Sequence, residues 1–109
     1  MANTFKLKTK ANVGVTTVGI YTAPASTTTV VIGITMANTS GSGVNVGVGI
    51  TRAGTTEDIK LLKNAPVPQG SSLEFMGGNK VVLEATDSLT AYSDVNNTLD
   101  VALTIMEIT

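Results

Sequence analysis

The sequence predicts an all-β fold, a single-domain antiparallel β-sandwich of about eight strands, on three observations. Apolar residues recur at every second position through most of the chain, and this pattern puts an apolar stripe on one face of a pleated strand. Clusters of Gly, Pro, Asn and Ser separate these segments at regular intervals. No segment has the spacing of an amphipathic helix. The 109 residues suit one domain, and the strand number also allows a jelly roll.

The predicted strands follow from this alternation and from the turn residues between them. In chain order they cover residues 13–21, 28–37, 44–51, 59–63, 72–76, 80–84, 88–93 and 99–107. Residues 56–63 have the length of about two helical turns, but turn residues flank them on both sides, which favours a strand. The two clearest stripes are predicted to point into one apolar layer, and they consist of Val46, Val48, Ile50, Val101, Leu103 and Ile105.

The turns between the predicted strands carry residues suited to tight connections. Pro24 separates the first two strands, and a Gly- and Ser-rich cluster at 38–43 precedes the third. The segment 66–70 is predicted as a rigid connection, because each proline fixes φ and lacks an N–H donor. Residues 77–79, Gly-Gly-Asn, supply the positive φ of a tight hairpin between strands 72–76 and 80–84.

The N-terminal segment has one apolar and one cationic face. We assign residues 1–12 to a basic edge strand or arm and residues 13–109 to the sandwich domain. Lysine on an edge strand discourages unwanted pairing, whereas an arm would add to a neighbouring subunit's sheet. Both interpretations stay open, and we predict a partner-binding role for Phe5, Lys6, Leu7, Lys8 and Lys10.

The net charge of −1 conceals an uneven distribution along the chain. Residues 1–56 contain four basic residues and no acidic one, whereas residues 57–109 contain three basic and eight acidic ones. Such halves can present complementary patches to copies of the same chain, or a basic arm to an acidic surface. A sandwich that interleaves both halves would instead mix the charges.

The composition excludes most catalytic chemistry. The chain has no His and no Cys, so a His-dependent triad, a thiol nucleophile and the usual zinc sites are absent from it. We therefore predict no enzyme activity and no cofactor or metal, including at the turn carboxylates Asp87 and Asp94. Four aromatic residues offer little for stacking bases or sugars. No apolar run reaches the length of a signal peptide or a membrane span, so we expect a soluble protein without nucleic-acid or membrane partners.

Four short motifs occur in the chain in an order that is similar to that in one protein family. They read YTAP at 21–24, NTSG at 38–41, PVPQGSSL at 66–73 and LEATDSL at 83–89. This progression resembles the small β-sandwich structural proteins of tailed bacteriophage particles, over about residues 18–100. The resemblance implies a virion component present in many copies and assembled in the host cytoplasm. It transfers no binding or catalytic residue, and Thr86 stands where the family has Gly.

The expected function is that of a capsid decoration, or cement, protein that binds the outer capsid surface and stabilises the shell. Its partners would be the major capsid protein or other virion proteins, and it would form a homo-oligomer, with a trimer favoured. A neck or tail accessory component and a carbohydrate-binding host-attachment module are the alternatives. In attachment, the N-terminal strand would pair with a partner strand, its apolar side chains would fill pockets, and its lysines would attract an acidic surface.

Overall fold

A computed structural model describes residues 3–54, 58–75 and 81–109, with Phe75 described through its main chain alone. These residues form nine β-strands and no helix. No helix in those ranges is long and apolar enough to cross a membrane. The strands are β1 Asn3–Val13, β2 Val18–Thr22, β3 Thr28–Asn38, β4 Val44–Thr51, β5 Asp58–Val67, β6 Ser72–Phe75, β7 Val81–Leu83, β8 Ser88–Ser93 and β9 Leu99–Ile108.

The strands form two antiparallel sheets. Sheet 1 has the order β1-β9-β3, with β6 and β7 both on the free side of β3, and sheet 2 has the order β2-β8-β4-β5. Strands that are neighbours in a sheet are mostly distant in sequence, as β1 and β9 are. The prediction of a single-domain, antiparallel β-sandwich is confirmed.

One apolar core lies between the two sheets. All six residues predicted to share an apolar layer are buried, and Leu103 and Ile105 have no exposed surface. The strand alternation therefore identified the inward faces correctly. Other large side chains buried in this core are those of Ile34, Met36, Leu83, Leu89 and Leu99.

The predicted hairpin between residues 72–76 and 80–84 is wrong in its pairing. β6 pairs with β3 at residues 34–37, and β7 pairs with β3 at residues 29–31, both antiparallel. The two strands therefore run in the same direction along one edge of β3, so they cannot be the two arms of a hairpin. The turn residues Gly77, Gly78 and Asn79 lie outside the described residues. Local turn chemistry could not show that β3 offers a long edge to both strands.

Two predicted strand boundaries also differ from the structure. The strand predicted at 13–21 begins only at Val18, because the chain crosses between the sheets after Val13. Gly14 lies so close to Asn96 at this crossing that a Cβ atom would overlap the Asn96 side chain. The predicted connection at 66–70 is shorter, because β5 continues through Pro66 to Val67. A proline fits there because β5 is an edge strand of sheet 2.

Asn38 holds together the loops at one end of the sandwich. Its side chain is buried, and its amide nitrogen donates hydrogen bonds to the carbonyl oxygens of Ser42, Val67 and Pro68, at 2.8, 3.0 and 3.3 Å. Its oxygen accepts hydrogen bonds from the main chain and the hydroxyl of Ser40. One side chain thus satisfies several main-chain groups of two loops that are far apart in sequence.

The turn between β7 and β8 contains a strained threonine. Thr86 has φ 67°, and this left-handed conformation is unfavourable for a β-branched residue.

Replacing Thr86 by Gly should raise the free energy of unfolding by about 1 kcal/mol, because glycine adopts a positive φ without the Cβ clash. Urea denaturation measures the change. Thr104→Gly is the matched control, since Thr104 lies within β9, where glycine weakens a strand. A Thr86→Gly protein with a lower free energy of unfolding than wild type would contradict the assignment of strain to this residue.

Candidate interaction surface

β1 lies at the edge of sheet 1 and presents two different faces. It pairs with β9 from Asn3 to Val13, and directly paired residues of antiparallel strands point to the same face. Phe5 is paired with Met106 and points outward, whereas Lys8 is paired with buried Leu103 and points to the inner side. The two faces that the sequence alternation predicts for β1 are therefore present. The division of the chain after residue 12 stays a prediction.

A row of apolar side chains crosses the outer face of sheet 1. The pairing Phe5–Met106–Val30–Val82 links β1, β9, β3 and β7 at one level, and we name these four residues the apolar row. Phe5 is 69% exposed and Val82 is 54% exposed, at the two ends of the row. None of the four packs on the core. Leu7, 65% exposed, extends the apolar surface along β1.

The outer face of sheet 2 is different in composition. On β4 and β8, the residues whose pairing puts them on this face are Asn45, Gly47, Gly49, Thr51, Ser88, Thr90 and Tyr92. A sandwich sheet ordinarily turns a polar face to water, and sheet 2 does so. Sheet 1 does not, and an exposed apolar patch of this kind is typical of an interaction site.

Two shallow depressions lie beside the apolar row on the same face. The first, of about 300 Å³, is lined by Thr9, Lys10, Ala11, Thr35, Ala37, Asp100, Val101 and Ala102. The second, of about 480 Å³, is lined by Ile32, Gly33, Ile34, Thr35, Glu74, Ala102 and Thr104. Small side chains in the middle of the sheet create both depressions. The first depression is bordered by β1 at one edge of the sheet, and the second by Glu74 of β6 at the other edge.

Lys6 is bound to the body of the protein by a buried carboxylate. Its Nζ lies 2.8 Å from Oε1 of Glu107, and the Tyr21 hydroxyl donates a hydrogen bond to Oε2 and also contacts Thr29. The hydrogen bonds from Lys6 and Tyr21 lower the pKa of Glu107. Burial and the hydrogen bond to Glu107 raise the pKa of Tyr21 to about 12. Lys6 therefore fastens β1 to the sandwich and is less available to a partner than the sequence suggested.

Lys8 and Lys10 have no carboxylate within salt-bridge distance in the described ranges. They lie on the core-facing side of an edge strand, opposite Leu103 and Val101. Inward-pointing charges on an edge strand discourage the addition of another strand. The lysines of β1 thus hinder main-chain pairing along its edge.

The turn carboxylates serve the fold. Both Asp87 oxygens accept main-chain hydrogen bonds, from Ala53 and Glu84, and Arg52 Nε lies 3.0 Å from Oδ2. Asp94 accepts a hydrogen bond from the main chain of Asn45. Within the described ranges, no three acidic residues are grouped so as to hold a metal ion. Arg52–Asp87 and Lys6–Glu107 also join the basic half of the chain to the acidic half, as expected of a sandwich that mixes the charges.

Sequence reasoning missed most of the apolar row. It identified Phe5, but Val30, Val82 and Met106 were not singled out as surface residues. A signal was present, because Val30-Val31-Ile32 is a run of three apolar residues, and in a strand such a run must turn at least one residue outward. Met106 likewise interrupts the polar side of β9.

The fold is found in solved structures of low sequence similarity. A chain of infectious bursal disease virus, Gx strain, matches with a TM-score of 0.57 and 10% identity, over 98% of this chain and 32% of that chain. A chain of Bacillus endospore appendages, described as disulfide-linked pili, matches with a TM-score of 0.52 and 18% identity, over 96% of this chain and 85% of that chain. A pentameric capsid protein from metagenomic phage sequences matches with a TM-score of 0.46 and 20% identity, over 94% of this chain and 59% of that chain.

The first two similarities extend to the fold and no further. The chain spans about a third of the length of the bursal disease virus chain. No protein-family profile matches it, and no characterised protein matches it in sequence.

Proposed function

We propose that this chain is a virion structural protein, specifically a capsid decoration protein that binds the outer surface of the shell and stabilises it. The observation that carries the proposal is the apolar outer face of sheet 1, which is exposed at both ends of the apolar row. A protein with such a face is suited to binding other protein subunits. The resemblance of the four motifs to phage structural proteins supports the same role, as does the occurrence of the fold in a virus and in pili.

The order of the strands supports a jelly roll. The chain places β1 in sheet 1, β2 in sheet 2, β3 in sheet 1 and β4 in sheet 2, and it later returns β8 to sheet 2 and β9 to sheet 1. This alternation leaves β9 between β1 and β3, and β8 between β2 and β4. Double-sheet jelly rolls with such winding are common in viral capsid proteins.

We place the contacts of the assembly on β1. Lys8 and Lys10 would attract an acidic region of the major capsid protein or of another virion protein, and Phe5 and Leu7 would supply apolar contacts. Lys6, which already holds Glu107, would position the strand. Binding of many copies stabilises the assembled shell by mass action. Homo-oligomerisation on the particle stays a prediction, and the trimer that the sequence favoured is to be distinguished from a two-fold pair.

Lys8→Gln combined with Lys10→Gln should weaken binding to particles about fivefold at low salt, because two exposed ion pairs of about 0.5 kcal/mol each would be lost. Binding of wild type should weaken as salt rises and approach that of the variant. The measurement is occupancy on particles that lack the protein, over a protein and salt titration. Lys60→Gln with Lys63→Gln is the matched control, because it removes two lysines from the edge strand of sheet 2.

The copy number on the particle separates a capsid protein from a neck or tail accessory. Reconstruction of decorated particles that shows hundreds of copies on the shell would support the proposal. A dozen or fewer copies at the neck or tail would assign the accessory role instead. Specific binding to a glycan array, with no binding to particles, would favour a carbohydrate-binding module.

A further inference from the structure

We propose that the outer face of sheet 1 binds the same face of a second copy of this chain, in a two-fold pair whose axis runs between the faces and nearly parallel to the strands. The inference deepens the proposed function, on which it rests for the use of this surface in assembly. It assigns Phe5 and Leu7 to the contact between copies and leaves Lys8 and Lys10, on the opposite side of β1, available to the shell.

The apolar row is complementary to itself under this symmetry. Rotation about an axis parallel to the strands reverses the strand order of sheet 1 but keeps each residue at its level along the strands. Phe5 of one copy would therefore lie over Val82 of the other, and Met106 over Val30, because the four residues form one cross-strand row. The two most exposed members of the row would cover each other.

A second cross-strand row of the same face runs Thr9–Ala102–Thr35–Glu74. The two-fold axis would place Glu74 of one copy over Thr9 of the other, so the carboxylate would meet a hydroxyl group. Lys10 is on the opposite side of β1, because it is paired with buried Val101, and it takes no part in this contact.

The face is large enough for a stable pair. Four strands at about 4.8 Å spacing and about eight residues of strand length define an area of about 19 by 27 Å, or about 500 Å² on each copy. A pair would bury about 1,000 Å² in total, which is the lower bound for a specific interface. Two sandwich sheets stack face to face with an angle of about 30° between their strands, and a near-parallel axis permits this angle.

The main-chain edge of β1 is a weaker candidate for contact between copies. A two-fold pairing of β1 with β1 would bring the lysines of one copy beside those of the other, and like charges placed directly opposite are destabilising. Those lysines also point to the inner side of the sheet, where they hinder strand addition. The face is therefore better suited to contact between copies than the edge.

Val82→Glu tests the inference, because it puts a carboxylate into the proposed contact, directly over Phe5 of the other copy. Sedimentation velocity over a concentration series should show a dimer for wild type and a dimer at least about tenfold weaker for the variant, since burial of an unpaired charge is unfavourable. Val95→Glu is the matched control. Val95 is 47% exposed and lies in the loop before β9, so its substitution should leave the dimer unchanged. Circular dichroism establishes that both variants keep the β-sheet signal.

A charge introduced at Thr9 tests the orientation of the pair. Thr9→Lys should strengthen the dimer, because it would put a cation over Glu74 of the other copy, and Thr9→Glu should weaken it, because it would put a like charge there. A wild-type monomer at hundreds of micromolar, a trimer in solution, or a dimer unaffected by Val82→Glu would each overturn the inference. Particle binding is measured separately, so a dimer that does not decorate particles would refute the decoration role and leave the pair intact.

Discussion

Replacing Leu103 by Ala should lower the free energy of unfolding by about 2–5 kcal/mol, the range for a large side chain removed from a packed core. Leu103 has no exposed surface, and it lies on β9 between β1 and β3. The substitution would leave a cavity facing sheet 2 that rigid neighbouring strands cannot fill. Urea denaturation gives the free energy, and thermal unfolding should show a midpoint lower by about 10 °C or more.

Thr104→Ala is the matched control for Leu103→Ala. Thr104 is the next residue on β9 and is exposed on the outer face, so its truncation should change stability by less than about 0.5 kcal/mol. Equal losses for the two variants would mean that the assignment of inward and outward faces on β9 is mistaken.

Replacing Asp87 by Asn should cost about 1–3 kcal/mol at neutral pH, because buried donors would lose a charged acceptor. Asp87 is buried and accepts hydrogen bonds from two main-chain N–H groups, and Arg52 lies beside it. An Asn side chain would place an NH₂ group where Asp87 has an oxygen, so that it would face groups that are themselves hydrogen-bond donors. Asp94→Asn is the matched control. Asp94 lies in a loop, is exposed and accepts one main-chain hydrogen bond, from Asn45, so its substitution should lower the free energy of unfolding by less.

The contribution of Asp87 should depend on pH. Burial alone would raise its pKa, but the hydrogen bonds from Ala53 and Glu84 and the charge of Arg52 outweigh burial and hold the pKa below its ordinary value. A depressed pKa stabilises the fold above the unfolded-state value of about 3.9, and this stability is lost as pH falls through the folded-state pKa. Wild type and Asp87→Asn should therefore differ most near pH 7 and converge below about pH 4. A difference that stays constant down to pH 2 would contradict this role.

The alternation of apolar residues determined the fold class and the core. Val46, Val48 and Leu103 could be assigned to the inside from sequence because side chains alternate between the faces of a strand, whatever the strand pairs with. The absence of His and Cys likewise limited the chemistry without any structure. These properties are local or compositional, which is why the sequence alone contains them.

Tertiary structure decided which strands are neighbours, and with them the candidate surface. The hairpin predicted around residues 77–79 was wrong because β6 and β7 both pair with β3, and a turn sequence carries no information about that edge. The apolar row joins Phe5, Val30, Val82 and Met106, which are spread over the whole chain. Phe5 could be picked out from its own strand, but its neighbours could not, because a cross-strand row exists only once non-local pairing has fixed the register.

The lysines of β1 show the same division. Their alternation was evident in the sequence, whereas only the pairing with β9 showed that they point inward and that Lys6 is held by Glu107.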